Sequence, residues 1–391
     1  MKTRLIAPPH RTGYHAIAMR RDIILIGATA DPVSGWGMIA YRYAEALHAA
    51  GIPFKLLVPR GSAVPSASFS SSILPVLPDL PLTFGTFFSA ARLPRLWNLS
   101  HAVRAAGPAP SVVHSLVDFP YALIGRRIAS RCGAPFVMSA IATYSVAPFR
   151  RFPDKFLFRD AVSHADRVIA ISAYTAREFR FVSGFPGAIP VMYLPAARPV
   201  PAGHEDFSIW RRIPSGRLYV LTVATVRIAG RKGFDVLYDA FCQARVSFPR
   251  AHLIVVGADI GRTDAYTSFD RVSPAELAAL YSRSCLFAAL PRRSGDYFEG
   301  YGLVYGEAGL YGLPVVGSAS GGIPEAVLHG VTGILVPEED AAGAGRAICR
   351  LLRDPAYAGR LGFEGRVRAE ARTWGDYAGD CRAIYDSLPG R

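Results

Sequence analysis

Short apolar runs alternate with amphipathic stretches along most of the chain. "DIILIGA" (Asp22 to Ala28) is apolar at every second position and at the positions between, which predicts a strand buried on both faces, as in a parallel sheet. It is followed by the loop "TADPVSGWG" and the helix-patterned "MIAYRYAEALHAAG". Strand, glycine loop, helix and strand open a doubly wound sheet. "FKLLV" (Phe54 to Val58), "SVVHS" (Ser111 to Ser115), "PFVMSA" (Pro135 to Ala140) and "RVIAIS" (Arg167 to Ser172) continue it. Between the second and third of these strands, the Pro/Ser/Phe-rich "SAVPSASFSSSILPVLPDLPLTFGTFF" predicts no definite element.

Periodicity is lost over "PAARPVPAGHEDFSIWRRIPSG" (Pro195 to Gly216), where Pro, Gly and charge gather as in a linker. A second cycle then begins. "LYVLTVATV", "AHLIVVGA", "CLFAAL", "PVVGS" and "GILV" read as strands. "GFDVLYDAFCQARVSF", "SPAELAALYSRS" with Ser273 as cap, the stretch after Gly302 and the start of "IPEAVLHG" read as helices. The predicted fold is α/β, with two Rossmann-like domains in tandem and a cleft between the carboxyl ends of their sheets, where such folds bind ligands. The expected divisions are an extension over 1–21, a first domain over 22–200, a linker over 201–216, a second domain over 217–373 and a terminal helical segment over 374–391.

Composition narrows the classes. Hydrophobic residues make up 51% of the 391 and charged residues 19%, which argues against large-scale disorder. The longest apolar runs fall well short of the roughly 18 residues a spanning helix needs. No continuous apolar core precedes Asp31-Pro32, so a cleavable leader is not expected and the cytoplasm is the default location. Five widely spaced cysteines, Cys132, Cys242, Cys285, Cys349 and Cys381, fit neither a disulfide framework nor a zinc site and are expected reduced. Net charge is +14, and residues 1–200 hold 22 Lys/Arg against 9 Asp/Glu while 201–391 hold 22 against 21. The basic first half suggests an anionic partner, a membrane surface or a charged substrate. The basic residues form no recognisable nucleic-acid module, so nucleic acid is not an expected partner.

Three stretches carry candidate chemistry. Gly35 and Gly37 lie in a loop lacking the third glycine of a dinucleotide fingerprint; they either close a tight turn or let backbone approach a substrate at a helix N-terminus. In "VRIAGRKGFDVL", Arg227 ends a strand and Lys232 opens a helix, so two cations can converge on a diphosphate, with Arg231 read as the solvated member. In "FEGYGLVYGEA", Glu299 falls in a glycine-broken loop and Glu307 about a turn into the following helix. Both can face the cleft, Glu299 toward sugar hydroxyls and Glu307 toward a ribose diol, or they can serve as a helix-flanking cap and an ion-pair partner.

"TVATVRIAGRKGFDVL", "FEGYGLVYGEAGLYGLPVVGSASGGIPEAVLHGVTGILVPEED" and "ADRVIAISAYT" together resemble retaining glycosyltransferases of the GT-B fold, specifically glycosyltransferase family 4. The resemblance is strong over about 217–340 and weaker over 22–200. It implies a nucleotide-diphosphate-sugar donor, UDP- or GDP-linked, held mainly by the second domain. Arg227 and Lys232 would neutralise the diphosphate and Glu299 would orient the sugar. Glu307 would hold the ribose, Gly302, Leu303 and Val304 would meet the β-phosphate, and Arg271 and Val272 would line the base. Gly35 and Gly37 would form the glycine loop of the acceptor domain, and the last helix would cross back onto that domain.

The family needs no divalent metal, and the chain has no Asp-x-Asp motif. The resemblance implies same-face transfer of a hexose to a glycan or lipid-linked acceptor, in surface polysaccharide or glycolipid synthesis. Two departures stand out. Ile141-Ala142 occupies the place of a common His-Gly pair, and "YLPAAR" replaces a usual Asn-Gly. His114 is a candidate acceptor-side substitute. A non-catalytic nucleotide-sugar or glycan binder and a nucleotide-sugar epimerase are the competing readings. The segment from Phe84 to Arg104, with interleaved aromatics and arginines, is the candidate for contact with an anionic membrane, or else an ordinary amphipathic helix.

Overall fold

The computed structural model describes residues 22–32, 34–80, 99–224 and 230–389. Six parallel strands form the first sheet: β1 (Ile23–Ile26), β2 (Phe54–Pro59), β3 (Ile73–Leu77), β4 (Val112–Ser115), β5 (Phe136–Ala140) and β6 (Arg167–Ala170). Their order is β3-β2-β1-β4-β5-β6. The order reverses between β1 and β4, where Ile24 sits between Lys55 of β2 and Val113 of β4. All four β1 side chains are buried, as the two-faced apolar run requires. β3 lies in the region where the sequence predicted no element; the exposed Pro75 between half-buried Leu74 and Val76 obscures its pattern, yet Ile73 and Leu77 are buried.

The second sheet has seven strands: β7 (Leu218–Val223), β8 (Ala251–Val256), β9 (Ala258–Arg262), β10 (Tyr266–Phe269), β11 (Leu286–Ala289), β12 (Val315–Ser318) and β13 (Gly333–Val336). Their order is β13-β12-β11-β7-β8-β10-β9. All neighbours run parallel except β9, which pairs antiparallel with β10 at the edge. That ribbon was not legible because β9 is exposed at four of its five positions, and solvated edges carry no apolar signature.

Helices cover both faces of the sheets. Ser273 caps the helix Pro274–Arg283 in a reciprocal box with Glu276, which satisfies two otherwise orphaned donors. Within 201–216, read as a linker, a 3-10 turn spans Phe207–Arg212. Its Ile209 and the following Ile213 are buried with the second sheet, and the Trp210 indole donates to Ala279 O at 3.1 Å. The last helix, Trp374–Asp386, lies on the first-half helix Gly35–Ala49: the Tyr43 and Tyr377 rings meet edge-to-face at 5.4 Å, and the Tyr43 and Tyr385 hydroxyls are 2.9 Å apart. Among the described residues no helix is long and apolar enough to cross a membrane, and the five cysteines are free thiols.

Candidate active site

The carboxyl ends of the two sheets face each other across a cleft of about 490 Å³. The first half supplies Ser34 to Trp36 after β1, Asp118 after β4 and Ile141 to Tyr144 after β5. From the second half come Val223-Ala224, Arg231-Lys232 and the loop from Phe298 to Tyr305.

The Lys232 ammonium is 2.8 Å from Oε2 of Glu299, with the side chains 30% and 23% exposed. A pair that wet stabilises a fold by at most about 1 kcal/mol, so its consequence is placement: one cation and one carboxylate fixed side by side on the cleft wall. Gly302 caps the helix Leu303–Leu310 in the left-handed region (φ 85°), with no side-chain cap. The first amides of that helix, at Leu303 and Val304, therefore meet the cleft with the positive end of the helix dipole behind them. The loop before it is pinned from the other half. Phe298 N donates to Thr143 Oγ1 at 3.2 Å, and Gly300 packs so closely on the Ile141 carbonyl that any Cβ would collide with it.

The glycine loop divides in two. Gly35 lines the cleft, whereas Gly37 sits in the first helical turn, where its amide donates to the Ser34 cap at 3.0 Å and a Cβ would strike the Asp31 carbonyl. Trp36 beside them meets Tyr144 edge-to-face at 4.9 Å.

Other expected residues stand elsewhere. Glu307 does not line this cleft: Tyr281 OH donates to its Oε2 at 3.1 Å, and burial pushes its carboxyl up to about 7 against the opposing pulls of that hydroxyl and the Arg42 charge. Arg271 is exposed and Val272 packs on the second-half core; neither lines the cleft. Arg227 falls outside the described residues, as does most of the Phe84–Arg104 segment. Arg231, read as solvated, is instead part-buried on the cleft wall with its guanidinium 5.0 Å from the Tyr297 ring centre, because a stacked planar cation loses little hydration.

His114 requires correction as an acceptor-side residue. It is fully buried, with Nδ1 2.6 Å from Tyr385 OH and Nε2 2.9 Å from Ser139 Oγ. Both ring nitrogens are committed to tying the last helix to the first sheet, and burial pulls the imidazole down to about 3. The polar group that does reach the cleft from β4 is Asp118, which sequence reading missed. Its signal was present: a lone carboxylate in the apolar "SLVDFPYAL", where charge is costly without a purpose. Burial pushes this carboxyl up to about 7, opposed by hydrogen bonds from Ser145 and Ile141.

Comparisons with known proteins identify the family. Residues 217–354 match the model for "Glycosyl transferases group 1", and residues 34–197 match a "Glycosyl transferase 4-like domain". Over 266 residues the chain is 32% identical to a GDP-mannose-dependent alpha-(1-6)-phosphatidylinositol monomannoside mannosyltransferase of Mycolicibacterium smegmatis, covering 63% of this chain and 68% of that enzyme. The chain belongs to the family 4 glycosyltransferases.

Solved structures place the fold in the same class. A sucrose-phosphate synthase from Thermosynechococcus elongatus superposes with a TM-score of 0.71 at 22% identity, covering 94% of this chain and 98% of that one. Anabaena HepE in complex with UDP and glucose superposes with a TM-score of 0.70 at 16% identity, covering 94% and 100%. This glycosyltransferase therefore has the GT-B architecture, as its motifs implied. Among the described residues no group of three or more His, Cys, Asp and Glu is arranged to hold a metal ion.

Proposed function

We propose that this glycosyltransferase moves a hexose from a UDP- or GDP-linked sugar to a hydroxyl of a glycan or lipid-linked acceptor, with retention and without a metal. The observation that carries the reading is the Lys232–Glu299 pair standing beside the uncapped helix start at Gly302. A cation and a row of amides suit a diphosphate, and an adjacent carboxylate suits sugar hydroxyls. Arg227, five residues before Lys232 in the sequence, is the second cation of the proposed site.

In the proposed reaction the bond from the anomeric carbon to the phosphate oxygen breaks while a bond to the acceptor oxygen forms on the same face. The acceptor proton passes to the leaving phosphate oxygen. Lys232 and the amides of Leu303 and Val304 stabilise the charge that grows on the diphosphate. The GDP-mannose dependence named for the mycobacterial relative supports testing guanine first, and the UDP bound to Anabaena HepE keeps uracil in the comparison.

A lipid-linked acceptor fits a peripheral position on an anionic membrane. Phe152 and Phe156 are 77% and 56% exposed, their rings 6.0 Å apart and Lys155 5.0 Å from the second. Exposed aromatics beside a cation, in the basic half of the chain, support such contact. Flotation with anionic and neutral liposomes checks it, and absence of binding to both removes it.

The deciding experiment is thermal titration with UDP and GDP. One nucleotide raises the midpoint in the native protein and loses that effect in Lys232→Ala; no response to either at millimolar concentration would refute the donor site.

A further inference from the structure

Arg231 and Lys232 are neighbours in one turn, yet their side chains part. Lys232 pairs with Glu299, while the Arg231 guanidinium lies 5.0 Å from the Tyr297 ring centre. Tyr297 ends a turn bridged to Ser294, and Asp296 of the same turn is held by the first-half Arg150 at 2.7 Å and Arg151 at 3.7 Å. Arg231 therefore stands where the second half meets the first. Burial raises the Tyr144 phenol of the opposite wall, and the Arg231 charge pulls against that rise. The same Tyr144 meets Trp36 edge-to-face at 4.9 Å, so the guanidinium has an aromatic pair across from it.

Among the described residues no carboxylate forms an ion pair with Arg231. The acids nearby are engaged: Glu299 by Lys232, Asp296 by the two first-half arginines and Asp235 by Arg292. Nε of Arg231 is enclosed without a partner, so contact with a ligand falls to the terminal amino groups of this part-buried, cleft-lining residue. Stacking occupies the face of a guanidinium and leaves its in-plane donors for an oxyanion, which they bind in pairs. Lys232 and the helix start at Gly302 serve the donor diphosphate in the proposed reaction, which leaves the charge of Arg231 for another group. Ile141 and Ala142 on the facing wall carry no polar side-chain atom, and the Thr143 hydroxyl is engaged with Phe298. A mostly apolar wall with one polar anchor is the usual make-up of a site that orients a small ring.

We propose that Arg231 selects the acceptor: its guanidinium binds an oxyanion, a phosphate or a carboxylate, carried beside the accepting ring, and that ring rests on the Trp36–Tyr144 pair. The assignment depends on the cleft being the site of transfer, and it makes the acceptor class anionic.

The test is calorimetric titration of the full chain, first with GDP and UDP, then, with the binding nucleotide saturating, with phenyl phosphate, benzoate and benzyl alcohol at millimolar concentration. The nucleotide fills the diphosphate site, so an aromatic anion that still binds reports a further cation. Native protein binds phenyl phosphate or benzoate about tenfold or more tighter than benzyl alcohol, the size of a charge-assisted contact. The tighter of the two anions tells a phosphorylated acceptor from one with an acidic sugar. In Arg231→Gln the preference for the anion is lost, while nucleotide affinity stays within about threefold. If that variant fails to fold, Arg231→Lys decides, because it keeps the charge and loses the paired donors; the preference must then fall by about threefold or more, the weaker end of a hydrogen-bond effect. Native protein that binds nucleotide and prefers neither anion overturns the assignment, as does a preference that survives the substitution. A larger fall in nucleotide affinity in Arg231→Gln overturns it too, by placing the residue at the diphosphate. Absence of any nucleotide response in native protein defeats the transferase reading and this assignment with it.

Discussion

The Thr143 hydroxyl, from the first half, takes the Phe298 amide of the second half at 3.2 Å, one residue before Glu299. The loop that carries Glu299 is therefore tied to the opposite half, and the packing of the two halves helps to set the position of Glu299.

Thr143→Val keeps the volume and removes the hydrogen bond. A single bond of this kind is worth about 0.5–1.5 kcal/mol, so kcat/KM for the nucleotide sugar is expected to fall roughly two- to tenfold with nucleotide binding little changed. Steady-state rates decide it, and an unchanged kcat/KM would show that Thr143 does not position the loop.

Lys232→Ala separates ligand binding from stability. The ion pair it removes is too exposed to hold the fold, worth at most about 1 kcal/mol, so the melting temperature without ligand should barely move. Affinity for the nucleoside diphosphate should drop by about ten- to a hundredfold, the loss of a charge-assisted contact. A large fall in the ligand-free melting temperature would instead give Lys232 a structural role.

Glu325 is a second link between the halves. Its Oε2 and Oε1 accept from the amides of Ala173 and Tyr174 at 2.6 and 2.8 Å, and Tyr193 OH donates at 3.1 Å. Carboxylates at helix N-termini are favoured by the dipole as well as by the amides. Glu325→Ala should open the molecule, which small-angle scattering reads as a larger radius of gyration; identical scattering curves would mean that the remaining cross-contacts, such as Arg293 to Glu178 at 2.9 Å, suffice.

The pH dependence of Glu307 has a definite sign. Its carboxyl is raised from 4.5 to about 7 in the folded protein, so the folded state holds the proton more tightly than the unfolded chain. The stabilisation is full below about pH 4.5 and is lost as pH rises through 7. Glu307→Gln removes the titration, and its melting temperature relative to the native protein should therefore improve from pH 5 to pH 8. A difference that stays flat across that range would contradict the burial argument.

Much of this was legible in the chain. Apolar runs such as Ile23–Ile26 and Leu253 to Val256 are buried on both faces, and burial on both faces leaves its mark in consecutive residues. Lys232, Glu299 and the Gly302 helix start were legible for a related reason, since each lies at the end of a strongly patterned element. β3 and β9 were not, because a proline-bearing strand and an exposed edge show no period. His114 misled because the strand end that places a side chain near a cleft also places it near the last helix, and only Tyr385, 271 residues away, decides between them.

The sequence by itself determined the two cycles of strand and helix, their order and the chemistry concentrated after β11, because these depend on local periodicity and on glycine at turns. Which polar groups share a cavity was decided by tertiary structure alone. Asp118, Thr143 and Glu299 are brought together by the approach of two sheets, and the hydrogen bonds that commit His114 and leave one oxygen of Asp118 unpaired are contacts between residues far apart in the chain, which no window of sequence contains.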